Sequence, residues 1–177
     1  MRVIGGRFRS RRLKSMPGLA VRPTPDRLRE TLFNILAPEI EGTVFLDAYA
    51  GTGAVAIEAL SRGARRIILF ERNPAALAII QDNLSSLQIS AEAMVYRGNA
   101  LTLIPKHQAD IAFVDPPYQH LRDYQAALES LSETQCALVI AQHDTQTTLP
   151  EAVARLRCSR VLRQGSNVLS FYRRMPD

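Results

Sequence analysis

The pattern that most constrains this chain begins at Thr43, where short apolar runs alternate with helical segments and glycine or proline marks the turns. A strand, a helix and a second strand in succession form a parallel crossover, so this alternation predicts a doubly wound α/β sheet. Apolar runs of strand length occur at residues 43–48, 66–70, 94–96, 111–114 and 137–141. Helical segments are predicted at residues 54–61, 74–87, 101–104 and 124–131.

The C-terminal part of the chain departs from this alternation. Two β-prone runs, at residues 160–164 and 168–172, flank the turn signal Gly165-Ser-Asn167. This spacing predicts a terminal antiparallel hairpin. Together with the five earlier runs, it leads us to expect a mostly parallel sheet of seven strands with an antiparallel C-terminal edge.

The N-terminal part also differs from the rest. Short apolar runs broken by the Gly5-Gly6 pair predict a small β-hairpin. Further on, Thr24 is a suitable helix cap and Pro25 suits a first helical position, so we expect a helix to begin there. Its apolar residues, such as Leu32, share one face, and Arg29 is predicted to point away from that face.

Composition indicates one folded domain over residues 1–177, with residues 1–23 as a basic extension. Apolar residues make up 46% of the chain and charged residues 22%, which is typical of globular proteins. No apolar run approaches the ~18 residues that a membrane span needs, and no signal segment opens the chain, so we expect a cytoplasmic location. Cys136, Cys158 and the three histidines have no metal-ligand spacing, and we predict reduced thiols and no metal.

Positive charge is concentrated at the start of the chain. The first thirty residues contain nine arginines and lysines but only two acids, a net charge of +7, whereas the remaining 147 residues sum to −2. A basic segment joined to a nearly neutral body is typical of proteins that bind polyanions, because each neutralised phosphate releases counterions. We therefore favour nucleic-acid binding over a merely solubilising tail.

A glycine-rich segment, Asp47-Ala-Tyr-Ala-Gly51-Thr-Gly53, follows the first predicted strand and opens a helix. Glycines there let a ligand approach the backbone, and the helix N-terminus offers free N–H groups. Glu71 ends the next strand, where its carboxylate can accept both hydroxyls of a ribose. These features indicate an adenosine-containing cofactor, and they leave NAD and S-adenosylmethionine open. The alternative for the glycine segment alone is a tight turn without a ligand.

The tetrapeptide Asp115-Pro-Pro-Tyr118 directly follows the fourth predicted strand, at the edge where such sheets bind ligands. An amino group attached to an aromatic base is a poor nucleophile because its lone pair is delocalised. The Asp115 carboxylate and the Pro116 carbonyl can accept its two hydrogens, while Tyr118 offers a flat face for stacking. Methylation of such an amine explains this motif better than a rigid Pro-Pro turn does.

The sequence resembles the RsmD-type guanine-N2 methyltransferases of small-subunit ribosomal RNA. The resemblance covers nearly the whole chain. It depends on four segments: Ile4-Gly-Gly-Arg-Phe-Arg-Ser-Arg-Arg-Leu13, Arg22-Pro-Thr-Pro-Asp-Arg-Leu-Arg-Glu-Thr-Leu-Phe-Asn34, Asp47 to Gly53 with Glu58-Ala-Leu-Ser-Arg-Gly63, and Asp115-Pro-Pro-Tyr118. The last two indicate an amino-methyltransferase of Rossmann-like fold that uses S-adenosylmethionine, and the first two indicate this family.

The resemblance assigns roles to individual residues. The amino-group site would consist of Asp115, Pro116 and Tyr118. The cofactor would be bound by Asp47, Ala48, Gly51, Gly53, Glu71, Arg72, Asn99 and Ala100, with Asn99 and Ala100 beside the adenine. The RNA would be bound by Arg7, Arg9, Arg11, Arg12, Arg22 and Arg27. The implied partner is 16S rRNA, within the small ribosomal subunit or an assembly intermediate of it, and the protein is expected to be a monomer that binds no membrane.

Several alternatives remain open at this level. The tetrapeptide is also compatible with amino-methyltransferases that act on adenine or cytosine in DNA, or on a glutamine side chain. The glycine segment with Glu71 is compatible with a nicotinamide-dependent oxidoreductase, although this leaves the tetrapeptide without a role. An RNA-binding assembly factor without activity is a further possibility. A second basic cluster, Arg155, Arg157, Arg160 and Arg163, either extends the RNA footprint or is a solvated edge.

Overall fold

A computed structural model describes residues 1–16, 24–117 and 122–176 of the chain. Within them, eight strands form one sheet in the order β3-β2-β1-β4-β5-β8-β7-β6. The strands are β1 (Val44–Asp47), β2 (Arg66–Glu71), β3 (Ala93–Arg97), β4 (Ile111–Val114), β5 (Leu138–Asp144), β6 (Ala152–Val153), β7 (Leu156–Gln164) and β8 (Asn167–Arg174). The first five are parallel to one another, and β8 pairs antiparallel with both β5 and β7. The predicted architecture is therefore confirmed, with a two-residue strand, β6, added at one edge.

Helices cover both faces of the sheet. They are α1 (Asp26–Leu36), α2 (Ala54–Ser61), α3 (Pro74–Leu87), α4 (Ala100–Leu103) and α5 (Arg122–Ser132). Successive strand residues point to opposite faces, so Phe45 of β1 packs in the core with α1, α2 and α3, whereas Leu46 packs with α4 and α5. No helix of the described residues is long and apolar enough to cross a membrane.

Local sequence signals explain where the two helices beside β1 and β2 begin. The Asn73 side chain accepts hydrogen bonds from the N–H groups of Ala75 and Ala76, at 2.9 and 3.4 Å, and Pro74 occupies the first helical position of α3. Helix α2 instead begins after Gly53, whose φ of +80° is strained for any residue with a side chain. Both starts agree with the sequence prediction.

Helix α1 differs from the prediction in two respects. It begins at Asp26 without a side-chain cap, and the Thr24 hydroxyl donates instead to Oε1 of Gln142 on β5, at 3.1 Å. Arg29 was expected to face outward, and this is wrong, because its side chain is fully buried beside Asp26 and Glu58. Two carboxylates close by offset part of the cost of burying a guanidinium, and a helical period alone does not show them.

The N-terminal segment is less regular than a hairpin. One antiparallel bridge joins Arg2 to Arg12, and a 3-10 turn at Gly6–Phe8 separates them, so the segment has a hairpin-like path without paired strands. Val3 and Leu13 are both buried in the core on the side of α1 to α3. This anchors residues 1–16 to the domain, and the basic extension is thus part of the folded body where it is described.

Candidate functional site

A cavity of about 670 Å³ opens at the carboxyl ends of the parallel strands, where the loops after β1, β2, β3 and β4 meet. This is the edge at which open α/β sheets bind ligands. Of the residues that the sequence singled out, the cavity is lined by Asp47, Ala48, Gly51, Glu71, Arg72, Asn99, Ala100, Asp115 and Pro116. The tertiary structure thus brings together segments that lie as far apart in the chain as Asp47 and Pro116.

The glycine loop after β1 is held in place by its neighbouring strands. The Ala48 N–H donates to the Phe113 carbonyl at 3.0 Å, and the Ala50 N–H donates to the Phe70 carbonyl at 2.9 Å. Gly51 has a φ of +55° and no atom within 4 Å of where a Cβ would stand, so its backbone faces open space. Gly53 does not line the cavity; a Cβ there would lie 3.2 Å from Leu69.

Glu71 connects the end of β2 to the glycine loop. Its Oε2 accepts the Gly51 N–H at 2.9 Å, and its Oε1 accepts the N–H groups of Arg72 and Asn73, each at 2.8 Å. A carboxylate has about four lone-pair positions, so these three bonds leave it room for a further donor. Glu71 therefore sets the shape of the loop and still presents an acceptor to the cavity.

Two carboxyl groups of the site have strongly perturbed titration. Burial raises the pKa of Asp115 to about 8, and the negative charge of Asp47 adds to this rise. Burial likewise raises the pKa of Asp47 to about 7, although a hydrogen bond from the Tyr49 N–H opposes the effect. Perturbed carboxyls inside a cleft are typical of functional sites, and both would be stabilised as anions by a positively charged ligand.

Asn99 and Ala100 lie where β3 gives way to α4. The Asn99 Oδ1 accepts the Leu101 N–H at 3.0 Å and so caps this short helix. The amide oxygen has a second lone pair, which remains available to a ligand. Ala100 is buried, and its small side chain lets the backbone line the cavity. A hydrogen-bond acceptor, the Asn99 Oδ1, and a small buried residue, Ala100, therefore lie side by side at the cavity wall.

The tetrapeptide after β4 is described in part. Asp115 is half-buried, Pro116 is buried and Pro117 is exposed, and all three line the cavity. Tyr118 lies outside the described residues. Because proline has a restricted φ and no N–H group, two consecutive prolines stiffen the turn that follows Asp115.

Most of the predicted basic contacts are exposed on the N-terminal segment. Arg7 pairs with Glu92 at 2.7 Å, and Arg11 donates to the Ser86 carbonyl at 3.1 Å. Arg9 and Arg12 are exposed and form no ion pair among the described residues. Arg27 is exposed on α1. Arg22 lies outside the described residues.

Sequence reasoning missed several residues that line the same cavity. These include Met1, Ser15, Met16 and Asp123. Tyr49, Ala50 and Thr52 also line the cavity, and they lie within the glycine segment that the sequence assigned to the cofactor. Met1, Ser15 and Met16 carry no local signal, since only the path of the N-terminal segment across the domain brings them to the cavity. The basic segment and the cavity are thus contiguous.

Comparisons with known proteins agree with this geometry. The model of a family described as conserved hypothetical protein 95 matches residues 1–173. Ribosomal RNA small subunit methyltransferase D of Escherichia coli K12 is 35% identical over 181 residues, covering 98% of this chain and 90% of that protein.

Solved structures show the same fold. The yhhF protein of Escherichia coli superposes with a TM-score of 0.86 and 34% identity, covering 100% of this chain and 99% of that one. A more distant methyltransferase-fold neighbour, SMU.776, was solved in complex with SAH. It shows 13% identity and a TM-score of 0.66, over 81% of this chain and 49% of its own, so that likeness concerns the fold alone. By its family match and its relatives, this chain belongs to the RsmD family, described as conserved hypothetical protein 95.

Proposed function

We propose that this protein is an S-adenosylmethionine-dependent methyltransferase that modifies the exocyclic N2 amine of a guanine in 16S rRNA. The observation that carries the proposal is that Asp115 and Pro116 line one cavity with Glu71 and Gly51. An acceptor pair for an amine therefore adjoins the residues suited to an adenosine cofactor. The name of the Escherichia coli relative supports rRNA as the substrate class.

The cavity fits such a cofactor in size and in donor set. Its volume of about 670 Å³ falls within the range of small-molecule sites, ~300–1,000 Å³. Glu71 would accept the ribose hydroxyls, and Asn99 with Ala100 would lie beside the adenine. Asp47 and the loop to Gly53 would hold the methionine end, whose positive charges suit the two carboxyls of raised pKa.

When bound, S-adenosylmethionine supplies an electrophilic methyl group for in-line displacement by an amine. The residues of this chain act on the amine itself. The Asp115 carboxylate and the Pro116 carbonyl accept its two hydrogens, which draws the nitrogen lone pair out of conjugation with the base. The reaction leaves one proton in excess on the nitrogen, and the Asp115 carboxylate is a suitable first acceptor because burial raises its pKa to about 8.

The continuity of the basic segment with the cavity supports an RNA substrate. Ser15 and Met16 line the cavity, and the exposed Arg9 and Arg12 precede them by only a few residues. An RNA whose phosphates are bound by these arginines would have a nucleotide close to the opening of the cavity. Since the base edge must reach Asp115, we expect the target guanine to be turned out of its stack.

A methyl-transfer assay tests the proposal. Purified protein is incubated with labelled S-adenosylmethionine and, in parallel, with small ribosomal subunits, protein-free 16S rRNA or duplex DNA, and the products are digested to nucleosides. We expect label in N2-methylguanosine from one position of 16S rRNA. Label in adenine or cytosine of DNA would show that DNA, and not rRNA, is the substrate. Tight binding of NAD without methyl transfer would show that the protein belongs to a different reaction class.

A further inference from the structure

We infer that Asn83 couples the cofactor site to the RNA-binding segment, so that each ligand strengthens the binding of the other. This inference rests on the proposed function and names a positioning residue for it. Asn83 lies on α3, outside the quoted motifs, and only 1% of its surface is exposed.

The Asn83 side chain bonds to both parts of the site at once. Its Nδ2 donates to the Thr52 carbonyl at 3.1 Å, within the glycine loop that lines the cavity. The same Nδ2 donates to the Lys14 carbonyl at 3.2 Å, and its Oδ1 accepts the Lys14 N–H at 2.7 Å. One buried amide therefore fixes a backbone group of the cofactor loop and both backbone groups of one residue in the basic segment.

The position of Asn83 makes a polar side chain costly without these bonds. Its helix neighbours on the inner face, Ile80, Leu84 and Leu87, are buried in the apolar core. An amide placed there without partners would be costly, because a buried polar group that makes no hydrogen bond loses its hydration without compensation. The three hydrogen bonds remove that cost only while the loop and the segment both hold their present positions.

The first half of the basic segment is attached to α2, whereas the backbone of Lys14 is held by Asn83. Glu58 accepts the N–H groups of Ile4 and Gly5, at 2.8 and 2.9 Å, and the Phe8 N–H donates to Ser61 at 2.9 Å. These bonds hold the first half of the segment to α2. At the other end, Ser15 and Met16 line the cavity, next to the residue that Asn83 binds.

A ligand in the cavity would contact Thr52 on one side and Ser15 or Met16 on the other. Ordering either backbone through such contacts also orders the other, because both bond to the same amide. RNA held by the arginines of the segment then meets a preordered cofactor loop. By linkage the effect is reciprocal, and coupling of this kind typically changes an affinity by about 5–150-fold.

Binding of each ligand with and without the other tests this inference. S-adenosylhomocysteine, which cannot turn over, is the cofactor probe, and protein-free 16S rRNA is the RNA probe. We expect the rRNA affinity of the wild type to rise at least fivefold when S-adenosylhomocysteine is saturating. In Asn83→Ala we expect the ratio of the rRNA affinities with and without S-adenosylhomocysteine to fall to about one, whether or not the affinity for either ligand alone changes.

The matched control is Asp82→Asn, one position earlier on the same helix. Among the described residues, the Asp82 side chain pairs only with the Lys14 side chain, at 2.8 Å, and it is half exposed. Its substitution changes a charge near the RNA but leaves the Asn83 bonds in place, so the ratio should stay at the wild-type value. Asn83→Asp keeps an acceptor for the Lys14 N–H but loses both donated bonds, and we expect its ratio also to approach one.

A second measurement needs no variant. Amide hydrogen exchange of the wild type should show slower exchange at Lys14 when S-adenosylhomocysteine binds. An unchanged Lys14 amide, or a ratio in Asn83→Ala within twofold of the wild type, would overturn the coupling and leave Asn83 as a structural residue. Failure of the wild type to bind either probe would instead overturn the proposed function on which the coupling rests.

Discussion

At the scale of single residues, the proposed chemistry depends on two carboxyls that line one cavity. Asp47 is fully buried and Asp115 half-buried, and the pKa of each is raised because burial disfavours the charged form. Burial makes the anionic forms of these carboxyls unfavourable, and a cation bound in the cavity would stabilise those forms. The spacing of the sequence predicted both residues, whereas their mutual effect depends on β1 and β4 being adjacent strands.

Replacing Asp115 tests its assigned role directly. In Asp115→Asn the side chain keeps its shape but loses its charge and part of its capacity to accept hydrogens. We expect kcat to fall by at least about 100-fold, in the range typical of a lost acid–base or acceptor group. Affinity for S-adenosylhomocysteine, measured by calorimetry, should change by less than tenfold. Turnover close to the wild type would show that Asp115 does not act on the amine.

The pH dependence of the reaction follows from the raised pKa of Asp115. Below a pKa of about 8 the free enzyme holds the proton, and a protonated carboxyl is a poorer acceptor for the amine. We therefore expect kcat/KM to rise with pH between about 6 and 8 and then to level off, since this parameter reports the free enzyme. Because the pKa of Asp47 is raised to about 7, Asp47 also titrates in this range. Asp115→Asn is therefore the control: the part of the rise in kcat/KM that this variant lacks belongs to Asp115. A flat wild-type profile would contradict the prediction.

Gly53 shows how a residue can control the cavity without lining it. Its φ of +80° is strained for a β-branched residue, and a Cβ would lie 3.2 Å from Leu69. We expect Gly53→Val to displace the glycine loop and to abolish S-adenosylhomocysteine binding in calorimetry. The matched control is Gly42→Val, because Gly42 has a similar φ of +72° but lies in open space away from the cavity. Equal loss of binding in both variants would point to a general folding defect.

At the scale of elements, two surfaces are basic. One is the N-terminal segment, and the other is the part of β7 after Arg157, which does not pair with β6 and is therefore an open edge of the sheet. Arg9 and Arg12 on the segment are exposed and unpaired among the described residues. Arg160 and Arg163 on β7 are also exposed, and an edge strand uses such charges to prevent unwanted strand pairing. Charge alone therefore does not distinguish an RNA-binding surface from a protected sheet edge. The position of each surface relative to the cavity is needed to tell them apart.

The two surfaces can be compared in one binding experiment. We expect Arg9→Ala with Arg12→Ala to weaken 16S rRNA binding and to reduce the slope of log K against log salt by about 1.5, from two lost phosphate contacts. The paired variant Arg160→Ala with Arg163→Ala should leave the slope nearly unchanged if β7 is only a protected edge. A larger loss from the β7 pair than from the segment pair would move the RNA footprint to the C-terminal edge.

At the scale of the whole molecule, one buried charge network joins the N-terminal segment to the domain. Glu58 and Arg29 are fully buried and 3.7 Å apart, and Arg62 donates to Glu58 at 2.9 Å. Among the described residues, the Arg29 Nη1 and Nε atoms have no hydrogen-bond acceptor. The Arg29 charge is compensated by Asp26, which accepts from Nη2 at 3.0 Å, and by the fully buried Glu58. The network links α1, α2 and residues 1–16 into one unit.

Neutralising Glu58 should therefore destabilise the fold. Removing one partner of a buried ion pair typically costs about 3–5 kcal/mol, because the other charge is left uncompensated. For a domain of this size that corresponds to a drop in Tm of roughly 10 °C, which calorimetry would show in Glu58→Gln. The control is Glu39→Gln, since Glu39 pairs with Arg173 on the exposed surface, where such pairs contribute about 0–1 kcal/mol. A similar Tm for both variants would show that the buried network adds little.

Local signals in the chain predicted the alternation of strands and helices, the cap of α3 at Asn73 and the residues of the glycine and Asp-Pro-Pro segments. These features depend on neighbours a few positions apart, so their periodicity and turn chemistry are visible in the chain. The burial of Arg29 and the bridge from Asn83 to Thr52 and Lys14 are visible only in the folded protein, since those contacts join residues between 29 and 69 positions apart. Contacts over such distances depend on how the elements pack, and no local pattern specifies that packing.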